Sequence, residues 1–175
     1  MNPENPTGLA EEGKRLYEHS QYDWAAELFR RAADAYTLEG ANLLAAEMSN
    51  NRSVSLLQAG KPREALEAAG GTDEIFAAAS DRKRQAMAIG NQAAALDALH
   101  RPDEALEAYA RAETLFAELG EGDMLALVKK SMAAIRLKRG DVLQSALKMV
   151  GSVEARSKPS LFDRLLRFLM RFKPW

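Results

Sequence analysis

The sequence predicts an all-α protein built from stacked helix pairs, and three observations carry that prediction. Helix formers (Ala, Leu, Glu, Lys, Arg and Met) dominate over β-branched residues throughout the 175-residue chain. The small residues Ala25, Ala65, Ala105 and Ser145 recur with a constant 40-residue period. The same kind of turn precedes each of them: Gln21-Tyr-Asp-Trp, Lys61-Pro-Arg-Glu, Arg101-Pro-Asp-Glu and Asp141-Val-Leu-Gln. Self-similarity at a fixed period marks a repeat architecture, in which each unit covers a face that its neighbour cannot bury alone.

Taken in order, Pro3, Pro6 and Gly8 mark a short flexible lead over residues 1–8. A first helix is expected from near Leu9 through Tyr17, ending at the polar turn His19-Ser-Gln. The second covers Tyr22 to Tyr36, with Ala25, Phe29, Ala32 and Tyr36 spaced for one packed face. A third runs from about Ala41 to Ala59 and stops at Gly60. Pro62 opens the fourth and Pro102 its counterpart one repeat later, because a first helical position needs neither the missing N–H nor a different φ. Gly70-Gly71 interrupts the second repeat, and Thr72-Asp73-Glu74 restarts a helix there, either as a hinge between repeat pairs or as a helix ending early at a glycine. Small residues suit the positions where paired helices cross closely, since a larger side chain would overpack the crossing by roughly 1–3 kcal/mol. Four residues after each small position stand Phe29, Ala69, Tyr109 and Met149. The repeats occupy residues 9–155, and residues 156–175 form a separate tail.

Composition excludes several classes of function. With no cysteine there is no disulfide, thiolate nucleophile or cysteine-based metal site. The N-terminus lacks a basic stretch followed by an apolar run, and no apolar run reaches the roughly 18 residues of a spanning helix. The chain is therefore expected in the cytoplasm, free or peripheral on the cytoplasmic face of a membrane. The net charge of −1 hides an asymmetry: Gly151 to Trp175 carries six basic and two acidic residues, so the rest of the chain is acidic. His19 and His100 both fall at turns without a metal-spaced partner. Gly120-Glu-Gly122 lacks the third glycine and lysine of a phosphate loop, and acidic pairs such as Glu11-Glu12 and Asp103-Glu104 suit the first turn of a helix. No catalytic constellation, cofactor or metal is expected, and an acidic array argues against nucleic acid.

The repeated residues resemble the tetratricopeptide repeat. In that family a small residue opens the packed stretch of the first helix, an alanine starts the second twelve positions later, and an aromatic and another alanine follow. Gly13, Ala25, Phe29 and Ala32 match in the first repeat, and Ala93, Ala105, Tyr109 and Ala112 in the third. The second has Ser53 and Ala65 but then Ala69 and Thr72; the fourth has Ala133 and Ser145 but Met149. The period of 40 departs from the usual 34 or so, which implies lengthened helices. The resemblance implies a right-handed superhelical solenoid of antiparallel helix pairs, about four repeats long, that binds another protein in a concave groove lined by the first helix of each pair.

That geometry would place Lys14, Tyr17, Asn50, Asn51, Leu57, Gln58, Asn91, Asp97, Lys130 and Lys138 on or near the groove. Asn51 and Asn91 are equivalent, one full period apart. In peptide-binding members of the family an asparagine here pairs with the ligand backbone, since an amide both donates and accepts. Glu11 and Ser131 hold the other two rungs, so the ladder is half built, and helix-capping or inter-repeat hydrogen bonds are the alternative use of these amides. Chaperone co-factors of this fold clamp a C-terminal carboxylate. Asn51 fits one of their positions, but Lys14, Met87 and Asn91 stand where other clamp residues are expected, so the clamp is absent.

Beyond the breaker Lys158-Pro159, Ser160 can cap an amphipathic helix from Leu161 to Phe172. Arg164, Arg167 and Arg171 share one face, while Leu161, Phe162, Leu165, Leu166, Phe168, Leu169 and Phe172, with Trp175 after them, supply the rest. Such a 12-residue helix reaches only about 18 Å and cannot span a bilayer. Three uses stay open: capping the end of the array, docking on a partner or a second copy, or lying on an anionic membrane surface.

Overall fold

The computed structural model of the protein describes residues 5–140, and within them every regular element is a helix. In chain order these are α1 (Pro6–Glu18), α2 (Tyr22–Leu38), α3 (Asn42–Gln58), α4 (Pro62–Ala69), α5 (Thr72–Ala78), α6 (Arg82–Ala98), α7 (Pro102–Leu119) and α8 (Gly122–Lys138). α1 starts earlier than the sequence suggested, so Pro6 and Gly8 belong to its first turn rather than to a lead over residues 1–8. The reason is local: Asn5 Oδ1 accepts the Thr7 N–H at 3.2 Å, and Pro6 has no N–H to leave unsatisfied. Ser145, Met149 and the whole tail from Arg156 to Trp175 lie outside the described residues.

The helices obey a finer rhythm than the 40-residue period. A residue with left-handed φ stands at every twentieth position: Ser20, Gly40, Gly60, Ser80, His100, Gly120 and Gly140. At the first six of these the next N–H reaches back to the carbonyl five positions before it: Gln21 to Leu16, Ala41 to Tyr36, Lys61 to Leu56, Asp81 to Phe76, Arg101 to Leu96 and Glu121 to Phe116, at 2.8–3.0 Å. The left-handed residue itself bonds the carbonyl three back, as Ser20 does to Tyr17 and His100 to Asp97. This pair of bonds satisfies carbonyls that a helix end leaves open. The accepting residues are all large and mainly apolar, and all except half-buried Leu16 are buried, so each turn is fastened to the core at the point where it reverses.

Contacts divide the chain into residues 1–132 and 133–175. In the first unit α2 packs on both α1 and α3, α3 meets α4, α5 and α6, and α6 meets α4, α5 and α7. Ala25, Ala65 and Ala105 have no exposed surface. Gly13 shows why such crossings need small residues: a Cβ there would stand 2.9 Å from Phe29 Cε1. Two clusters form the core around α2 and α3, one of Phe29, Tyr36 and Met48 with alanines, the other of Leu56 with Ala26, Ala65 and Ala95. Of the second unit, the last turns of α8 are described; Ile135 is buried there, and Ala133 and Leu137 are exposed.

The interruption at Gly70-Gly71 is real and is sealed with polar groups. Gly71 takes φ +73°, which an L side chain would resist, and its added Cβ would touch nothing. The Ala69 carbonyl at the break accepts from Thr72 Oγ1 at 2.7 Å and from Gln92 Nε2 at 3.0 Å. Thr72 shares its proton with Asn50 Oδ1, 3.2 Å away. Gln92 also donates to Asp73 Oδ1 at 2.8 Å, and Arg111 reaches Asp73 Oδ2 at 3.3 Å. Among the described residues no buried side-chain polar atom is left without a partner.

Candidate functional site

Three depressions follow one another along α1, α3, α6 and α8. The first, about 230 Å³, is bounded by Lys14, Tyr17, Glu18, Phe29, Asn51 and Val54. The second, also about 230 Å³, begins at the same Asn51 and Val54 and extends to Glu47, Asn50, Phe76, Arg84, Met87 and Asn91. The third, about 300 Å³, begins at Met87 and Asn91 and is closed by Gly90, Ala94, Tyr109, Phe116, Met124, Leu127, Val128 and Ser131. Asn51 and Asn91 therefore stand on the two partitions, each half-buried.

The second and third depressions are one design moved along by a repeat. Every residue around the second has its counterpart one period later around the third: Glu47 and Met87, Asn50 and Gly90, Asn51 and Asn91, Val54 and Ala94, Phe76 and Phe116, Arg84 and Met124, Met87 and Leu127, Asn91 and Ser131. Their chemistry differs. In the second, the Arg84 guanidinium lies 5.5 Å over the Phe76 ring and pairs with Glu47 at 3.2 Å and Asp81 at 2.6 Å. Asp81 caps α6 by accepting the Arg84 N–H at 3.0 Å, and that bond, with the guanidinium beside it, holds its carboxyl below the usual range against the opposing effect of burial. The third depression contains no charge. Tyr109 closes it, its hydroxyl pushed above the usual range by burial, against a hydrogen bond with Ser131 that acts the other way.

The sequence-predicted groove residues separate into three groups. Lys14, Tyr17, Asn51 and Asn91 border the depressions. Tyr17 is fixed edge-on against Tyr22, ring centres 5.3 Å apart. Asn50 stands apart: it borders the second depression but is 8% exposed, and its Oδ1 accepts from Thr72 Oγ1 at 3.2 Å across the α4–α5 break. Leu57 packs on the Leu56 cluster and is not among the residues bordering the three depressions. Gln58 and Lys130 are exposed at other points of α3 and α8, and Asp97 is half-buried. Lys138, exposed in the last turn of α8, belongs to the second unit. Of the remaining ladder positions, Ser131 lines the third depression and returns its hydroxyl to the Leu127 carbonyl at 3.1 Å, while Glu11 is exposed on α1.

Sequence reasoning passed over Val54, Arg84, Gly90 and Leu127 as groove residues. Their signal was present, because each shares a 40-residue series with another bordering residue; Met87 and Leu127 are one such pair. Among the described residues no group of three or more potential ligands could hold a metal ion, and no helix is long and apolar enough to cross a membrane. The chain matches no protein-family model and no curated protein sequence.

Proposed function

We propose that the protein is a non-catalytic scaffold of the tetratricopeptide type, which holds a segment of a partner protein along the row of three depressions and so helps to assemble a complex. In this reading the helix pairs stack as a right-handed superhelical array. The packing of α2 on α1 and α3, of α6 on α7, and of α3 on α6 one repeat away supports it. The observation that carries the function is the recurrence of one depression at a 40-residue shift, with a half-buried asparagine at the same place in each. A surface built twice with the same outline fits a ligand that is itself periodic, which an extended peptide is. The amides of Asn51 and Asn91 can each donate to and accept from a peptide unit whatever its side chain, and the depressions between them take side chains.

The test is a titration of a captured partner against the wild-type chain and the Asn51→Ala, Asn91→Ala double variant. Two lost hydrogen bonds at about 1 kcal/mol each predict an affinity at least ~10-fold weaker with helicity unchanged. Equal affinities would remove the amides from the mechanism.

A further inference from the structure

We infer that the third depression receives the Leu161–Phe172 segment of a second copy of this chain. The inference rests on the groove reading above and names an occupant for its last part. In passing from the second depression to the third, Glu47 and Arg84 give way to Met87 and Met124, and Asn50 to Gly90, so an ionic wall becomes an uncharged one. Gly90 lies inside α6, where glycine costs about 0.5–1 kcal/mol relative to alanine, yet an added Cβ would meet no atom within 4 Å. The space is left open without a packing reason. Met87 and Leu127 on its rim are 43% and 57% exposed.

The rest of the chain supplies matching chemistry. Thirty-five residues follow Gly140, and the twelve from Leu161 to Phe172 include seven leucines and phenylalanines. The stretch from Gly140 to Leu161 can reach about 70 Å when extended, enough to cross to another molecule. Charge favours the same pairing. Residues 1–140, which include all of α8, hold 22 acidic and 17 basic side chains, and residues 141–175 hold 3 acidic and 7 basic. An acidic body carrying the depression and a basic segment carrying the apolar residues attract each other between copies. Each copy offers one of each, so mutual exchange closes at two molecules with two-fold symmetry.

Sedimentation equilibrium of the full-length protein tests this. The wild type is expected to double in mass with rising concentration. Leu127→Glu, at an exposed position, and the triple variant Arg164→Glu, Arg167→Glu, Arg171→Glu should each weaken self-association at least ~10-fold while circular dichroism stays unchanged. Mixed in equal amounts, these two variants keep one intact depression and one intact segment between them, and a pair of doubled mass should reappear. A wild type that stays monomeric at every concentration, or a mixture that stays monomeric, overturns the inference. So does a dimer insensitive to both changes. A monomeric wild type whose partner binding still falls with Asn51→Ala, Asn91→Ala leaves the groove reading standing and removes only this occupant.

Discussion

The second and third depressions occupy the same positions of successive repeats, and their difference shows how a repeated backbone acquires separate chemistries. Their outlines coincide because Phe76 and Phe116 form equivalent buried floors, each placed by the carbonyl bond that ends its helix. The walls differ because side chains facing the opening are not needed by the core. The helix behind the second depression is broken into α4 and α5, where α7 behind the third runs uninterrupted, and still both end in step, at Ser80 and Gly120. At the break Ala69 replaces the aromatic of Phe29 and Tyr109, and the Thr72–Asn50–Gln92–Asp73 network occupies the polar junction. The spacing of the turns survives a change in the helix between them.

The largest effects are expected at the floors. Phe76→Ala and Phe116→Ala should each cost about 3–5 kcal/mol in urea unfolding, since both rings are buried. A large loss for one and none for the other would show that the two depressions are not equivalent. The walls should behave differently. Replacing Glu47 and Arg84 together by methionine gives the second depression the uncharged residues found at those two places in the third, and these side chains are 36% and 37% exposed. A partly exposed ion pair contributes about 0–1 kcal/mol, so stability should move little while binding of an apolar fluorescent dye rises. Gly90→Ala should raise stability by about 0.5–1 kcal/mol in a thermal melt, because nothing obstructs the added methyl group, and should narrow the third depression.

The smallest effect concerns Asp81, which positions Arg84 in the second depression and has no part in the third. Its carboxyl is held below its usual range in the folded protein, so the stability it contributes is present above the ordinary carboxylate value. That contribution is lost as pH falls through the lowered folded value. Asp81→Asn keeps a capping oxygen and should flatten the part of the stability profile below the ordinary carboxylate value, read as the urea midpoint at pH 6 and pH 3. An unchanged acid profile would show that Asp81 is not a source of it.

The helical class and the 40-residue repeat could be read from Ala25, Ala65, Ala105 and the prolines at 62 and 102, because these residues answer to local geometry. So could the restart at Thr72. The start of α1 is not legible because Pro6 and Gly8 usually signal irregular chain, and one hydrogen bond from the Thr7 N–H to Asn5 reverses their meaning. The finer rhythm of the turns is hidden in the sequence because serine and histidine stand at three of its left-handed positions, where composition alone suggests glycine. Asn50 and Asn51 are neighbours of one type, and sequence could not tell which turns toward Thr72 and which toward the opening.

The evenly spaced left-handed turns set the step by which such a chain can grow. A tandem duplication of one whole repeat, cut at Gly60 and His100, returns the backbone to the same phase and should add one more depression to the row. A duplication of half a repeat meets an equally good turn but arrives half a cycle out, so helices that fill the back would be carried to the front. Two units of length are therefore permitted by the turns and only one by the site.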